Sequence, residues 1–335
     1  MIIRGIETSC DETSIALLKV DGSDLHTLSL RTYSQADIHA VFGGVVPEVA
    51  SRNHMQKIIP LYQQTIDEAG IVQSDIDIIS VTNAPGLIGA LFVGVAFAKG
   101  LGYALKKPVV PIHHLSGHIL SGELDNPSLK PPYIAMVASG GHTHIYDVNN
   151  PLSFTLWGRT IDDAAGEAFD KVAKMIGGKY PGGPFIERLA LEGNPLAIKF
   201  PIALRDTDNF CFSGLKTAVL TAVNKKEFSN ADIAASFQHT VAVTLTNKLI
   251  RAAKTLNRDK IVLAGGVACN GYIRKYLSER ALEEGITVHL PSIALCNDNA
   301  LMIAYAAYRI TQGQQLDKYS DLGFAAGDTR HNIDV

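Results

Sequence analysis

With 335 residues, 47% of them hydrophobic and 19% charged, the chain has apolar material for two domain cores and does not have the composition of a disordered segment. A net charge of −3 excludes nucleic-acid binding through overall basicity and leaves only local patches of Lys and Arg for that task. Candidate cations are Arg251, Lys254, Arg258 and Lys260, then Arg274, Lys275 and Arg280, which read more simply as solvated helix faces.

The N-terminus, MIIRGIETSC, enters a strand pattern directly, without a charged segment followed by an apolar one. Ile2–Glu7 and Ser14–Val20 read as strands flanking a polar turn, Thr8–Thr13. A helix is expected over Glu48–Ala69, a buried strand over Ile76–Val81 and an apolar helix over Leu87–Leu105. The most apolar part of that helix, Gly86 to Ala98, is too short for a membrane span, and its glycines at 86, 89 and 94 suit a closely packed buried helix. Pro108–Ile112 leads as a short strand into a helix from about His114.

A second series follows. Tyr133–Ala138 is a strand, Ser139–His142 a glycine turn and His144–Val148 a returning strand. Helices are expected at about Ala164–Ile176 and Asp232–Leu256. Lys260–Leu263 is a strand ending in Ala264-Gly265-Gly266, Tyr272–Glu284 a helix, and Ile286–Leu290 and Ala300–Ile310 the last strand and helix. The four cysteines, Cys10, Cys211, Cys269 and Cys296, are dispersed without a C-x-x-C pair, as free thiols in a reducing, cytoplasmic compartment would be.

Two halves thus share a layout: Gly5–Val20 compares with Met136–Val148, and Ile76–Gly100 with Lys260–Leu282. The expectation is an α/β chain with an actin-like or sugar-kinase-like, two-lobed fold, each lobe RNase H-like, and a nucleotide cleft between them; a plain doubly wound sheet would explain the strands but not the doubling. The N-terminal lobe is placed at 1–112, with a tail from about 319 to 335 returning to it. The C-terminal lobe is placed at 113–318 and is expected to carry the metal and nucleotide sites.

The sharpest chemical feature is His114-Leu-Ser-Gly-His118. Histidines four apart share a helix face and can hold one metal ion. Leu115 stands where a metalloprotease H-E-x-x-H has its glutamate, which excludes that reading. Asp298 in Cys296-Asn-Asp-Asn-Ala300 is a candidate third ligand, with helix capping as its alternative. Two histidines and a carboxylate leave positions open on Fe(II) or Zn(II). Glycine turns at Ser139-Gly-Gly-His142, Pro181-Gly-Gly-Pro184 and Gly265-Gly266 near Asn270 permit close approach of a phosphate or ribose. No Walker or G-x-G-x-x-G pattern is present. Glu167 and Asp170, three apart, either bond ribose hydroxyls or form a solvated face. Asp11 and Glu12 lie in the first polar turn.

These motifs resemble one family, the tRNA N6-adenosine threonylcarbamoyltransferases, formerly described as O-sialoglycoprotein endopeptidases. The matching segments run in order: Gly5–Thr13, Gly44–Arg52, Pro85-Gly-Leu, His114–His118, Ser139–Thr143, Asp162–Asp170, Tyr180–Pro184, Phe212–Lys216, Gly265–Asn270 and Asn297–Ala300. The bacterial branch fits best. Val137 stands where archaeal and eukaryotic relatives place a metal-binding tyrosine, so no tyrosine ligand is expected. Ser116 and Asn297 depart from the usual Glu and Thr.

The resemblance implies an actin-like fold and one iron, or zinc, held by His114, His118 and Asp298. It implies substrate contacts from Val137, Ala138, Ser139, Gly140 and Gly141, then Asp170, Gly183 and Asn270. The implied reaction moves threonylcarbamoyl from threonylcarbamoyl-AMP to N6 of adenosine 37 in tRNAs reading ANN codons, with Asp11 or Glu12 accepting the amine proton. Implied partners are a smaller degenerate paralogue (TsaB-like) and a P-loop ATPase (TsaE-like), with no membrane; the Leu87–Leu105 helix is a candidate interface. The rival readings are an actin-like ATPase or small-molecule kinase, and a non-catalytic subunit of a tRNA-modifying assembly.

Overall fold

Strands β1 (Ile2–Glu7), β2 (Glu12–Asp21), β3 (Asp24–Ser34), β4 (Ile78–Ala84) and β5 (Val109–His113) build a first sheet in the order β3-β2-β1-β4-β5. β1 runs antiparallel to β2, and β2 to β3, while β1, β4 and β5 are mutually parallel. β4 and β5 are buried along their whole length, polar Ser80, Thr82, Asn83 and His113 included, as the parallel part of a sheet covered on both faces requires. β3, half polar and largely exposed, closes the edge.

The computed structural model describes residues 1–151, 153–319 and 323–328. A second sheet holds β6 (Tyr133–Ala138), β7 (Thr143–Asn150), β8 (Ser153–Arg159), β9 (Lys260–Ala264) and β10 (Thr287–His289) in the order β8-β7-β6-β9-β10. β6–β7 and β7–β8 are antiparallel and β6–β9 and β9–β10 parallel. Order and directions repeat those of the first sheet, so the layout shared by the two halves of the sequence is a shared topology.

The chain divides into two units. Unit 1 is Met1–Leu124 with the described residues from Asp298 onward, and unit 2 is Asp125–Asn297. This differs from the expected division at 112 and 318. Residues 113–124 and the final helix belong with the first sheet, because that helix supplies the cover for its second face. The expected tail falls partly outside the described residues, at 320–322 and 329–335. Its described part packs on unit 1: Phe324 joins the core, and the Gly327 N–H donates to the Asn83 carbonyl at 2.6 Å.

Unit 1 carries α1 (Ala36–Ala40), α2 (Pro47–Ala69), α3 (Ile88–Leu105) and α4 (His114–Asp125). α2 starts on a proline in its first turn and ends at Gly70 in the left-handed region, φ 62°. α2 and α3 bury Ile58, Tyr62 and Val95 against Ile6, Leu17 and Val81 of the sheet. The glycines of α3 and the residues before it do pack closely: a Cβ on Gly86, Gly89 or Gly94 would stand 2.4–2.6 Å from Ser9, Ser51 or Thr8. The opposite face of α3 is open, with Ile88, Phe92 and Tyr103 exposed. By length and composition α3 is the one helix among the described residues that could cross a membrane.

Unit 2 adds α5 (Ala165–Met175), α6 (Gly182–Ala190), α7 (Ser213–Lys225), α8 (Asn230–Thr255), α9 (Gly271–Glu283) and α10 (Ile293–Cys296). The last helix, α11 (Ala300–Thr311), returns to unit 1. β3, β8, α1, α6, α7 and α10 were not expected from the sequence.

Candidate functional site

His113 ends β5 and His114 opens α4 without a loop between them, so the start of the helix sits at the carboxyl end of the parallel strands. The i,i+4 spacing brings the His114 and His118 rings to 4.7 Å between centroids, nearly perpendicular. Asp298 stands just before Asn299, and it is Asn299 whose side chain caps α11, accepting from the Met302 N–H at 2.9 Å. The capping role considered for Asp298 thus belongs to its neighbour. Asp298 Oδ1 lies 3.0 Å from His118 Nε2 and 3.4 Å from His114 Nε2.

One ligating atom from each of His114, His118 and Asp298 falls within 4.8 Å of the others, a spacing that fits a single cation. Contrary to the expected placement, all three belong to unit 1. Behind them, Glu7 Oε2 lies 3.1 Å from His114 Nδ1.

Charge in this cluster is strongly coupled. Burial works against an ionised Asp298, yet His114 and His118 hold its carboxyl well below the usual range. Burial likewise opposes charge on His114, yet Asp298 and Glu7 hold it well above 6.5. The field that favours a proton on His114 is the field that would favour a divalent cation at the same point.

Asp11 and Glu12 close the neighbouring turn. Its backbone is pinned from α2 by His54, whose Nε2 lies 2.9 Å from the Cys10 carbonyl while its Nδ1 bonds Thr13 Oγ1 at 2.7 Å. Ser34 Oγ donates to Glu12 Oε1. Burial first, then Asp298 and Asp11, push the Glu12 carboxyl well above the usual carboxylate range.

In unit 2 the expected substrate residues gather at the carboxyl ends of β6 and β9, the usual ligand edge of such sheets. Val137 and Ala138 are fully buried in β6. The turn after them is held by the Ser139 N–H, which donates to the His142 carbonyl at 2.8 Å, by the His142 N–H, which donates to Ser139 Oγ at 3.2 Å, and by the Gly166 N–H, which donates to the Ser139 carbonyl at 3.0 Å. Asp170 Oδ1 accepts the Gly182 N–H at 2.6 Å, which ties α5 to the Gly182-Gly183 turn. Glu187 of α6 accepts the Gly271 N–H beside Asn270. Glu167, by contrast, pairs with Lys171 on a solvated face.

The glycines sort by cause. Gly265 has φ 89° and a Cβ there would stand 2.5 Å from the Ala138 carbonyl, so the fold demands it. Around Gly140, Gly141 and Gly183 a Cβ would meet nothing within 4 Å. Packing gives no reason for glycine there, as it gives none at Gly100 or Gly214.

Other motif segments are structural. Asp162 caps the start of α7 by accepting from the Phe212 N–H at 2.8 Å, and Asp163 pairs with Lys216. Each candidate basic residue also has a partner in the chain. Arg251 pairs with Asp208, Lys254 with Glu284, Arg258 with Asp147, Lys275 with Glu279 and Arg280 with Glu283. Lys260 donates to the Lys130 carbonyl, and Arg274 to those of Ala268 and Pro291. The contact of Glu7 with His114 escaped sequence reasoning, since nothing local links positions 107 residues apart.

Comparison with known proteins adds family and fold. A family profile described as TsaD, tRNA N6-adenosine threonylcarbamoyltransferase, matches residues 26–305. Curated proteins of that name are similar along most of the chain. One from Thermosipho africanus is 50% identical, covering 92% of this chain and 94% of its own. One from Clostridium perfringens is 49% identical over 92% of each chain, and one from Geobacter is 47% identical over 95% of each. Among solved structures, nucleotide-bound full-length HypF aligns with a TM-score of 0.64 at 16% identity, covering 93% of this chain and 47% of that one. Component A of the Acidaminococcus fermentans (R)-2-hydroxyglutaryl-CoA dehydratase aligns with a TM-score of 0.58 at 16% identity, covering 96% of this chain and all of the other. The fold is the actin-like one these proteins share.

Proposed function

Because the chain belongs to the tRNA N6-adenosine threonylcarbamoyltransferase family and transfers threonylcarbamoyl to N6 of adenosine 37 in tRNA, we propose that it does so with one divalent metal held by His114, His118 and Asp298. The observation that carries this reading is the convergence of both Nε2 atoms on Asp298 Oδ1. Iron(II) is the cation proposed, with zinc as the substitute the same donor set accepts. When bound, such a cation, keeping net positive charge beside one carboxylate, would polarise the carbamoyl carbonyl and offset charge developing on it.

The protein groups divide the remaining work. The exposed backbone at Ser139, Gly140, Gly141 and Gly183 receives the phosphate of threonylcarbamoyl-AMP, with backbone at Val137 and Ala138 setting the turn. Asp170 and Asn270 hold the ribose and base. The exocyclic adenine amine loses a proton as it attacks. Glu12, whose carboxyl is raised by burial first, then by Asp298 and by Asp11 beside it, accepts that proton. The bond between the carbamoyl carbon and the phosphate oxygen breaks, and AMP leaves with its electron pair.

The proposed setting is the cytoplasm, with a smaller degenerate paralogue and a P-loop ATPase as partners. The exposed apolar face of α3, at Ile88, Phe92 and Tyr103, is the surface offered to one of them.

A single-turnover assay tests the reading, with threonylcarbamoyl-AMP, unmodified tRNA and the partner proteins, followed by nucleoside mass spectrometry. Modified adenosine should form with the wild-type chain, and His118→Ala should lose metal and product together. Transfer by the metal-free protein would sink the metal assignment. Absence of product despite bound metal would favour the kinase or scaffold alternatives.

A further inference from the structure

We propose that Glu7 is a positioning residue that sets the ring tautomer of His114, holding the proton on Nδ1 and turning the Nε2 lone pair toward Asp298; this rests on reading His114, His118 and Asp298 as a metal site. Glu7 ends β1 and is fully buried. Its Oε1 accepts the Ser9 N–H at 2.5 Å, and its Oε2 accepts the Thr82 hydroxyl at 2.5 Å. The same Oε2 lies 3.1 Å from His114 Nδ1. Each of these partners can donate, and a carboxylate can only accept.

A neutral imidazole has one N–H. Both ring nitrogens face a carboxylate, and Glu7 at 3.1 Å from Nδ1 is nearer than Asp298 at 3.4 Å from Nε2, so the hydrogen is directed at Glu7 and Nε2 keeps its lone pair. An acceptor behind a histidine fixes both tautomer and ring orientation before any ligand arrives. His118 has no such support: its Nδ1 is buried with no hydrogen-bond partner among the described residues. One ligand ring is therefore held at both nitrogens, whereas among the described residues the His118 ring is met only at Nε2, by Asp298 Oδ1 at 3.0 Å.

Glu7 also ties β1 to β4 and α4, so a purely structural role must be separated from the positioning one. Glu7→Gln does this by shape. If the glutamine oxygen keeps the Ser9 N–H, its NH₂ group faces His114 Nδ1 as a donor. His114 then accepts at Nδ1, where the Ser9 hydroxyl at 3.3 Å can donate as well, and carries its hydrogen on Nε2, the ligating atom.

Three measurements on the intact protein decide the matter. Zinc(II) affinity by competition titration should fall ten- to a hundredfold in Glu7→Gln. Nitrogen–proton correlation spectra of the metal-free proteins, at a pH high enough for a neutral ring, should show His114 protonated at Nδ1 in wild type and at Nε2 in the variant. Thr82→Val, which removes one donor to Glu7 and leaves the carboxylate, should keep the wild-type tautomer and affinity within a fewfold. Should Glu7→Gln not fold, Glu7→Asp withdraws the carboxylate from Nδ1 and is read the same way. A folded variant with unchanged tautomer, or with zinc affinity within threefold of wild type, overturns the proposal. Wild-type protein that binds no zinc overturns the metal reading instead, and the tautomer spectra still judge Glu7 by themselves.

Discussion

A Cβ placed on Gly5 would stand 1.9 Å from the Ala300 carbonyl oxygen, so β1 and the first turn of α11 meet backbone to backbone. Asp298 lies two residues before Ala300. Gly5→Ala must push α11 away from the sheet and carry Asp298 off the histidines. The expected result is a loss of about 1–3 kcal/mol in stability together with a lower metal content. Urea denaturation and elemental analysis of the purified variant check both, and wild-type values for either would contradict the contact.

Asn270 combines two roles that substitution can separate. Its side-chain oxygen caps α9 through the Ile273 N–H at 3.0 Å, and its amide donates to Gln238 Oε1 at 2.7 Å. Asn270→Ala should cost about 1–2 kcal/mol through the lost cap. Asn270→Ser should restore most of that stability without restoring AMP binding, if the amide contacts the donor. Denaturation midpoints and calorimetric titration with AMP distinguish the two effects.

Arg309 of α11 pairs with Glu123 of α4, whose side chain is almost fully buried, and Tyr305 Oη donates to the same carboxylate at 3.3 Å. Arg309→Leu leaves that carboxylate without its cation and should cost about 3–5 kcal/mol. Adding Glu123→Leu should recover much of the loss, because the penalty lies in the stranded charge. A double variant no more stable than the single one would count against this account.

Burial, with Arg159 adding to it, pushes the His144 imidazole down to about 4 from its usual 6.5. Between those values the unfolded chain binds a proton that the folded ring refuses. Stability is therefore complete above pH 6.5 and declines as pH falls toward 4. Partial solvent exposure limits the contribution to about 1–2 kcal/mol. Thermal midpoints of wild type and His144→Gln should converge as pH falls through this window, and parallel curves would rule out His144 as the cause.

Sequence patterning revealed the strands that lie inside the sheets. β1, β4, β6 and β9 are compact apolar runs, and such runs have few other uses in a soluble domain. β3 and β8 escaped because edge strands alternate polar and apolar residues and resemble loops. α6 escaped for a different reason: Gly182-Gly183-Pro184 reads as a break, yet proline is well tolerated in the first turn of a helix. At the site, the spacing of His114 and His118 was legible because helical geometry is local. The placement of Glu7 was not, nor was the pairing of Arg258 with Asp147, because only the assembled sheet brings such distant positions together.

Unit 1 is interrupted by unit 2, and this sets an order on synthesis. Both histidines leave the ribosome early, with the first sheet still bare on one face. Unit 2 is continuous and can complete its core next. Only then does α11 emerge, covering the sheet with one surface and delivering Asp298 with its first turn. A nascent chain stopped before residue 298 holds two imidazoles and no carboxylate opposite them. The three-residue cluster is therefore complete only once the chain has passed that residue and the last helix has docked.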